Sequence, residues 1–551
     1  MPRPEDVYRT EELEEFRRSG YWSDVTMWQL VEDWATADPE RIAFIDDHRS
    51  ITIGEVADGA KRLAGGLYAL GVRHGDRVVV QLTNRVEAVI VVCGLARLGA
   101  VLVPVQPLLR RHDVAALLNR TRATAMFSIA TFHNFDHVAM IRELRRESPE
   151  LRKVIIVGDE PHDEHRFDEL LAHPPYEGPV PNPDDPLLVM FTSGTTSAPK
   201  GCVHTSNTFM NAGRATGVNI GAGPNDVVFM PSPIMHMTGM GVGILMPLIY
   251  RIPSVFQSRF EPLSALELIG KHRCTMTLGA SAFATMLLDA FDPKSHDVST
   301  LRVVGLGGAP VQRVTIDRLD REFGCQVIAL YGSTEGLSVA STRMGDDAER
   351  TASSDGQAVD GVELVVTDDA GNILPPGQEG EIRFRAPGRF LCYWEDDERT
   401  RSVIDEHGRF RSGDLATIDA NGYLRITGRL ADMIIRGGVN ISAQEVENLL
   451  IEHPDVLDIA VVSMPDARLG EKMCAFVVPG QNPPTVESLA AMLLERGVAK
   501  FKFPERVEVL DVLPRNPTGK IEKFKLRSLV RELLLSEEPI SSSEGAPSMP
   551  A

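Results

Sequence analysis

Short apolar runs that break abruptly into polar or glycine-rich corners recur along this chain, separated by longer amphipathic stretches. ITIGEVADGAKRLAGGLYALG (51–71) and AVIVVCGLARLG (88–99) carry helical spacing, whereas DRVVVQL (76–82), AVLVPV (100–105), TAMFSIA (124–130) and KVIIVG (153–158) have strand length. Strands alternating with helices predict a mostly parallel sheet covered on both faces. Ahead of them lie a charged lead-in and a helix marked by Trp28, Leu30, Val31 and Trp34. The alternation resumes from Val227 to about Ala340, which predicts a second α/β lobe. From about Asp355 the texture changes to short strands and Gly/Pro/Asp turns, a small β-rich subdomain. A segment of about a hundred residues after Arg429 is large enough to fold as an α+β unit. The tail after Leu535, SEEPISSSEGAPSMPA, has little to bury and predicts no fixed structure.

Four of the apolar runs end in corners with chemical character. Leu187–Phe191 leads into Thr192, Ser193, Gly194, Thr195 and Thr196, then reaches Lys200. Asp226–Met230 leads into Pro231–His236, Leu301–Val304 into Gly305–Pro310, and Gln326–Leu330 into Tyr331–Gly336. Open α/β sheets bind ligands beyond the carboxyl ends of their strands, so the four corners can face one crevice. In the first, Gly194 permits turn angles that let N–H groups and hydroxyls converge on phosphate oxygens, and Lys200 adds a compact positive charge. An ordinary P-loop is absent, because Lys200 follows Pro199 and precedes Gly201. Taken alone, the stretch also fits a solvated Ser/Thr/Gly loop.

Composition narrows the function classes. At 551 residues the chain suggests about three to four globular units, and 43% apolar with 24% charged residues is ordinary for a soluble protein. A net charge of −20 argues against nucleic acid or an anionic membrane as partner, so an anionic ligand must meet particular local cations. The six cysteines contain no CxxC pair and indicate neither a zinc site nor a disulfide framework. The acidic N-terminus lacks an apolar signal core, and the apolar stretch Ala88–Val105 is interrupted by Arg97 and two glycines. A cytoplasmic enzyme without a membrane span is expected.

TSGTTSAPKG (192–201), YGSTEG (331–336), GDLATIDANGYLRITGR (413–429) and PRNPTGKI (514–521) stand in this order. With them the chain resembles, over about residues 25–530, the adenylate-forming superfamily of acyl-CoA synthetases, adenylation domains and luciferases. The fold class so implied is α/β, with a large N-terminal AMP-binding domain (1–428) of two α/β lobes plus a distorted β-barrel lobe. A smaller mobile α+β C-terminal domain (429–535) and a disordered tail (536–551) follow. The implied reaction joins a carboxylate to the α-phosphorus of MgATP, releasing pyrophosphate, and then passes the acyl group to a thiol, releasing AMP.

The resemblance also implies roles for residues. Thr192, Ser193, Gly194, Thr195, Thr196 and Lys200 would hold the β- and γ-phosphates, and Glu335 with Thr195 would bind Mg²⁺, which usually takes few carboxylates beside phosphate oxygens. Gly307, Gly308, Ala309, Tyr331, Gly332, Ser333 and Thr334 would surround the adenosine, with Asp414 and Ile426 at the ribose and Arg429 at ribose and phosphates. Lys520 would bring an ammonium to the α-phosphate and the incoming carboxylate, so Lys520, Lys200, Glu335 and Thr195 form the catalytic set. Gly437 and Gly438 would let the pantetheine arm of CoA pass. Two positions depart from the family: Ser197 stands where Gly is usual, and Ala431 where the pivot is commonly Asp or Lys.

Acyl specificity is expected around His236, Met237, Thr238, Gly239 and Gly241, with Ala280, Phe283 and Leu306 as wall. The aryl-acid branch commonly shows His-Asn where this chain has His236-Met237, although SGYWSD (19–24) resembles that branch. The corner favours a medium-chain or alicyclic acid with CoA as acceptor. Two alternatives stay open: an aryl or amino acid adenylating enzyme that loads a separate carrier protein, and an adenylate-binding scaffold without catalysis. A homodimer is compatible with the sequence.

Overall fold

The first α/β sheet of the computed structural model, which describes residues 2–158, 162–192, 200–308, 311–436, 439–466, 469–496, 498, 500–516 and 519–537, has eight strands. Their order is Cys392–Tyr393, Lys200–Thr205, Pro186–Thr192, Val101–Pro104, Arg77–Gln81, Ala125–Ile129, Lys153–Val157 and His165–Arg166. From Pro186–Thr192 onward the pairing is parallel; the first three strands are antiparallel to one another. Runs such as Val78-Val79-Val80 are buried on both faces, as a parallel sheet covered by helices requires.

Two helices on this sheet follow directly from local sequence. Ile53–Ala69 starts at a capping box, in which Thr52 accepts from the Glu55 amide and Glu55 accepts from the Thr52 amide at 2.7 Å. Val86–Leu98 is apolar apart from Glu87 and Arg97 and buried all round except for Glu87, and it ends at Gly99, whose φ of 76° suits a left-handed cap. The two helices meet closely at Gly94, where a Cβ would lie 2.8 Å from Leu63 Cδ2.

The second sheet begins earlier in the chain than the apolar pattern suggests. Its nine strands run in the order Gln357–Ala358, Leu337–Ser341, Gln326–Ser333, Val303–Gly307, Met276–Ala280, Val228–Met230, Ser254–Phe256, Ile42–Ile45 and Ser50–Thr52. Phe44 pairs in parallel with Ser254, so a strand preceding the first lobe completes the second. The charged lead-in is also structured. Helices Pro4–Val7 and Thr10–Arg18 bury Tyr8, Phe16 and Trp22; the Tyr8 hydroxyl donates to Arg389 O, and Trp22 Nε1 donates to Pro387 O at 2.9 Å. Where a distorted barrel is expected, the described strands Glu363–Thr367, Gly380–Arg385, Phe410–Ile418 and Leu424–Arg429 form a four-stranded sheet in that order.

The chain divides into two units, the second comprising residues from Thr427 onward together with Gly413–Leu415. In the second unit, strands Val439–Ser442, Met433–Arg436, Gly470–Pro479 and Val456–Asp466 pair in that order, and Arg506–Val509 joins Gly470–Pro479 in parallel. Alternation sorts the core into two faces. Ile459 and Val461 pack with Val446, Leu450, Leu489 and Leu493 of helices Ala443–Leu450 and Val486–Glu495, whereas Ala460, Val462 and Met464 pack with Leu526 and Val530. The last two belong to helix Lys523–Glu537, which runs two residues into the stretch expected to lack structure. The buried Glu447 carboxylate ties the unit together, receiving Lys523 Nζ at 2.8 Å and the Val461 amide at 2.6 Å. Ala431 lies in the short turn Leu430–Asp432, and the adjacent Asp432 pairs with Arg527. No helix among the described residues is long and apolar enough to cross a membrane.

Candidate active site

Lys200 stands directly across from Thr192 on antiparallel strands: the strand Pro186–Thr192 ends where its apolar run predicts, and a return strand begins at Lys200. The return strand Lys200–Thr205 is buried from Gly201 onward, and Gly201 leaves space for Phe191 and Val189, whose atoms lie 2.8 and 2.9 Å from where a Cβ would stand. Ser193, Gly194, Thr195, Thr196 and Ser197 lie outside the described residues.

A hairpin carries Glu335. The strand expected to end at Leu330 continues through Tyr331, Gly332 and Ser333 and turns at Thr334–Gly336 into Leu337–Ser341. Gly332 permits this, because a Cβ there would stand 1.9 Å from Leu337 O. Ser333 Oγ accepts from the Gly336 amide at 3.1 Å across the turn. Three neighbours hold its tip: His204 Nε2 lies 2.8 Å from Thr334 O, the Phe390 amide donates to Glu335 O at 2.7 Å, and the Tyr393 hydroxyl donates to Glu335 Oε1 at 2.9 Å. Lys200 Nζ lies 5.5 Å from the centre of the same Tyr393 ring. A cation and a carboxylate expected to serve phosphate and metal therefore share one aromatic side chain.

Burial fixes the protonation of these supports. It pushes the His204 imidazole down to about 4, so the ring is neutral at pH 7 and its Nε2 carries the proton given to Thr334 O. The Tyr393 hydroxyl is pushed far up, first by burial and then by the Glu335 charge, and it stays a donor.

The adenosine candidates on the first unit lie on adjacent strands. Gly307 sits between Ala280 and Leu330, where a Cβ would approach Leu330 O to 2.9 Å, and Gly308 follows at φ 82°. Tyr331 is half-buried opposite Ala340. The Ile426 amide donates to Asp355 Oδ2 at 2.8 Å, and burial raises the Asp355 carboxyl. Ala309 lies outside the described residues, as do Gly437 and Gly438. In the second unit, Arg429 Nε meets the buried Asp414 Oδ1 at 2.6 Å, and Lys520 sits on an exposed turn closed by Asn516.

Around the expected acid pocket the candidate residues differ in exposure. Leu306 is 2% exposed and packs in the core with Val304, Ile316 and Ala329. Gly241 is buried against the helix Ser206–Asn219, where a Cβ would lie 3.2 Å from Ala212 Cβ. His236 and Met237 are half-buried at the start of the short helix Met237–Met240, which continues through a π-helical turn, Gly241–Leu245, a form frequent at functional sites. Asn84 braces this corner, donating to Ser232 O at 3.0 Å and accepting from the Ile234 amide at 2.8 Å. Ala280 caps the helix Ser281–Ala290, and Phe283 lies beside Gly279.

His204, Phe390, Tyr393 and Asn84 escape a reading of motifs because none stands inside one. A signal existed for two: a histidine in the apolar strand Cys202-Val203-His204, and a tyrosine at the apolar run Phe390–Trp394, must each find a polar partner once buried. Among the described residues no group of three or more His, Cys, Asp or Glu could cage a metal. A lone carboxylate fits Mg²⁺, which keeps water and takes its other oxygens from phosphate.

A family model described as AMP-binding enzyme matches residues 31–394, and its C-terminal domain model matches residues 445–520. The chain is 34% identical to the medium-chain fatty-acid–CoA ligase of Escherichia coli K12, over 95% of this chain and 93% of that one. It is 31% identical to the 2,3-dihydroxybenzoate-AMP ligase of Bacillus subtilis 168, over 97% and 98%. Among solved structures it is similar to the anthranilate CoA ligase AuaEII in complex with anthranoyl-AMP, with TM-score 0.83, 26% identity and coverage of 93% and 98%. ATP-bound MatB from Rhodopseudomonas palustris gives TM-score 0.83 at 27% identity, covering 92% of this chain and 100% of that one.

Proposed function

Because the chain belongs to the AMP-binding enzyme family, whose members activate acids as adenylates, we propose that it is an AMP-forming acyl-CoA ligase for medium-chain or alicyclic carboxylic acids. The observation that carries this reading is the meeting of Lys200 and Glu335 on Tyr393, which supports a cleft for a metal-bound nucleotide. In the first step an acid oxygen bonds to the α-phosphorus of ATP and the bond to pyrophosphate breaks. In the second a thiolate sulfur bonds to the acyl carbon and AMP leaves.

The chain's residues serve these steps by position and charge. Lys200, with Thr192 to Thr196, holds the β- and γ-phosphates; Asp414 takes the ribose hydroxyls; Arg429 and Lys520 meet the phosphates. Glu335 would hold Mg²⁺, which when bound neutralises phosphate charge. His236 and Met237 face the acid, and the lack of an Asn after His236 favours an aliphatic chain over an aryl ring. The pantetheine arm of CoA would pass Gly437 and Gly438.

A second reading, loading of an aryl acid onto a carrier protein, has support in the B. subtilis relative at nearly the same identity. The experiment that decides is AMP release from a panel of medium-chain, alicyclic and aromatic acids, with CoA or with a phosphopantetheinylated carrier. CoA-dependent turnover of the aliphatic acids is expected; turnover only with an aryl acid and a carrier would overturn the assignment.

A further inference from the structure

We propose that His204 and Tyr393 are positioning residues that hold the Glu335 carboxylate in the orientation needed by a divalent cation on the nucleotide phosphates. The inference rests on Glu335 as a ligand of that cation and goes beyond it by naming what sets its geometry. Glu335 is the middle residue of a three-residue turn, Thr334–Gly336, a place where a carboxylate would ordinarily sample several rotamers. Here three donors fix two successive residues of the turn. His204 Nε2 donates to Thr334 O at 2.8 Å, the Phe390 amide to Glu335 O at 2.7 Å, and the Tyr393 hydroxyl to Glu335 Oε1 at 2.9 Å.

The donors come from one piece of sheet. His204 lies on the strand that begins with Lys200, and Tyr393 pairs with Cys202 of that strand. The pairing is extended by the Leu391 amide to Val203 O at 2.8 Å and the Trp394 amide to Gly201 O at 2.7 Å. The strand that presents the phosphate-side lysine thus also holds the Thr334 carbonyl, and its paired neighbour Cys392–Tyr393 holds the Glu335 carboxylate. With Oε1 engaged by the phenol, Oε2 would be the oxygen to meet a cation. Carboxylates that bind metals are commonly held in this way by an outer hydrogen bond. His204 contributes only if its Nε2 keeps the proton, a tautomer selected by the carbonyl acceptor at Thr334, while its Nδ1 faces Thr208 Oγ1 at 3.2 Å.

The test measures binding of Mn²⁺ in the presence of a non-hydrolysable ATP analogue by electron paramagnetic resonance of the free ion, on the full chain. Tyr393→Phe keeps the ring that packs 4.7 Å from Phe390 and removes only the hydroxyl. It is expected to weaken Mn²⁺ binding about tenfold, within the range typical for such supports, without changing affinity for the metal-free analogue. His204→Leu should weaken it similarly, and His204→Gln, whose amide can reach the same carbonyl, should restore most of it. Should His204→Leu not fold, Tyr393→Phe decides alone. Wild-type Mn²⁺ affinity in Tyr393→Phe, alongside a loss in Glu335→Gln, overturns the positioning role while leaving Glu335 as a ligand. Wild-type affinity in Glu335→Gln itself removes the ligand reading and the proposal together.

Discussion

Arg429 Nε lies 2.6 Å from Asp414 Oδ1, with the aspartate side chain 6% exposed and the arginine 49%. A buried carboxylate needs its partner, so the residue proposed for the ribose is already fixed by the one proposed for the phosphates. Asp414→Asn removes both the ion pair and an acceptor for the ribose diol. The KM for ATP in pyrophosphate exchange should rise about tenfold, equivalent to about 1.4 kcal/mol of binding, with a smaller change in kcat. An unaltered KM would separate Asp414 from the nucleotide.

Lys520 is exposed, yet its backbone is held. Its amide donates to Asn516 Oδ1 at 2.9 Å and its carbonyl accepts from the Asn516 amide at 2.8 Å, while Arg515 Nη1 donates to Gly519 O at 2.6 Å. Gly519, at φ 85°, makes the turn possible. Lys520→Ala should lower acid-dependent ATP–pyrophosphate exchange by about 10²–10³-fold and largely spare thioester formation from supplied acyl adenylate. Equal loss of both steps would contradict its role in adenylation.

Gly332 is set by sterics. A methyl group there would stand 1.9 Å from Leu337 O, so Gly332→Ala must open the hairpin that carries Glu335. Loss of more than about 2 kcal/mol of stability is expected, within the usual cost of overpacking, together with loss of exchange. Gly223→Ala, whose Cβ would come no nearer than 4.0 Å to Asp226 Oδ2, is the matched control and should melt like the wild type.

Stability should fall below neutral pH through a particular histidine. His204 has its folded pKa near 4, below the ordinary 6.5, because burial disfavours the charged ring. The unfolded chain therefore takes up this proton first. The contribution is fully present above pH 6.5 and is lost as pH falls toward 4, about 3 kcal/mol by then. His204→Gln should flatten the melting temperature against pH across that window relative to wild type. Parallel profiles for the two proteins would contradict the buried neutral imidazole.

The α/β alternation was legible because Val78–Val80, Val101–Val103 and Ile155–Val157 are runs that only a sheet covered on both faces can bury. The motifs pointed to Lys200, Glu335 and Asp414 by residue type and order. What lay beyond reach was long-range pairing. Nothing local in Ile42–Ile45 says that it joins Ser254–Phe256, and the apolar run ending at Leu330 does not reveal that Tyr331–Ser333 turns back on Leu337. Pocket walls were the least legible, since the neighbours of a strand residue such as Leu306, here Val304, Ile316 and Ala329, are set by long-range packing. The supports of Glu335 were hidden for the same reason: His204 and Tyr393 lie 131 and 58 positions away from it, and only the sheet brings them together.

Acid activation by this chain is tested most directly by exchange of labelled pyrophosphate into ATP by the purified protein, with and without a medium-chain carboxylic acid. Exchange that requires the acid and Mg²⁺, with AMP and acyl-CoA appearing when CoA is added, is the expected result. Acid-independent cleavage of ATP to ADP, or no exchange with any carboxylic acid while ATP still binds, would contradict it.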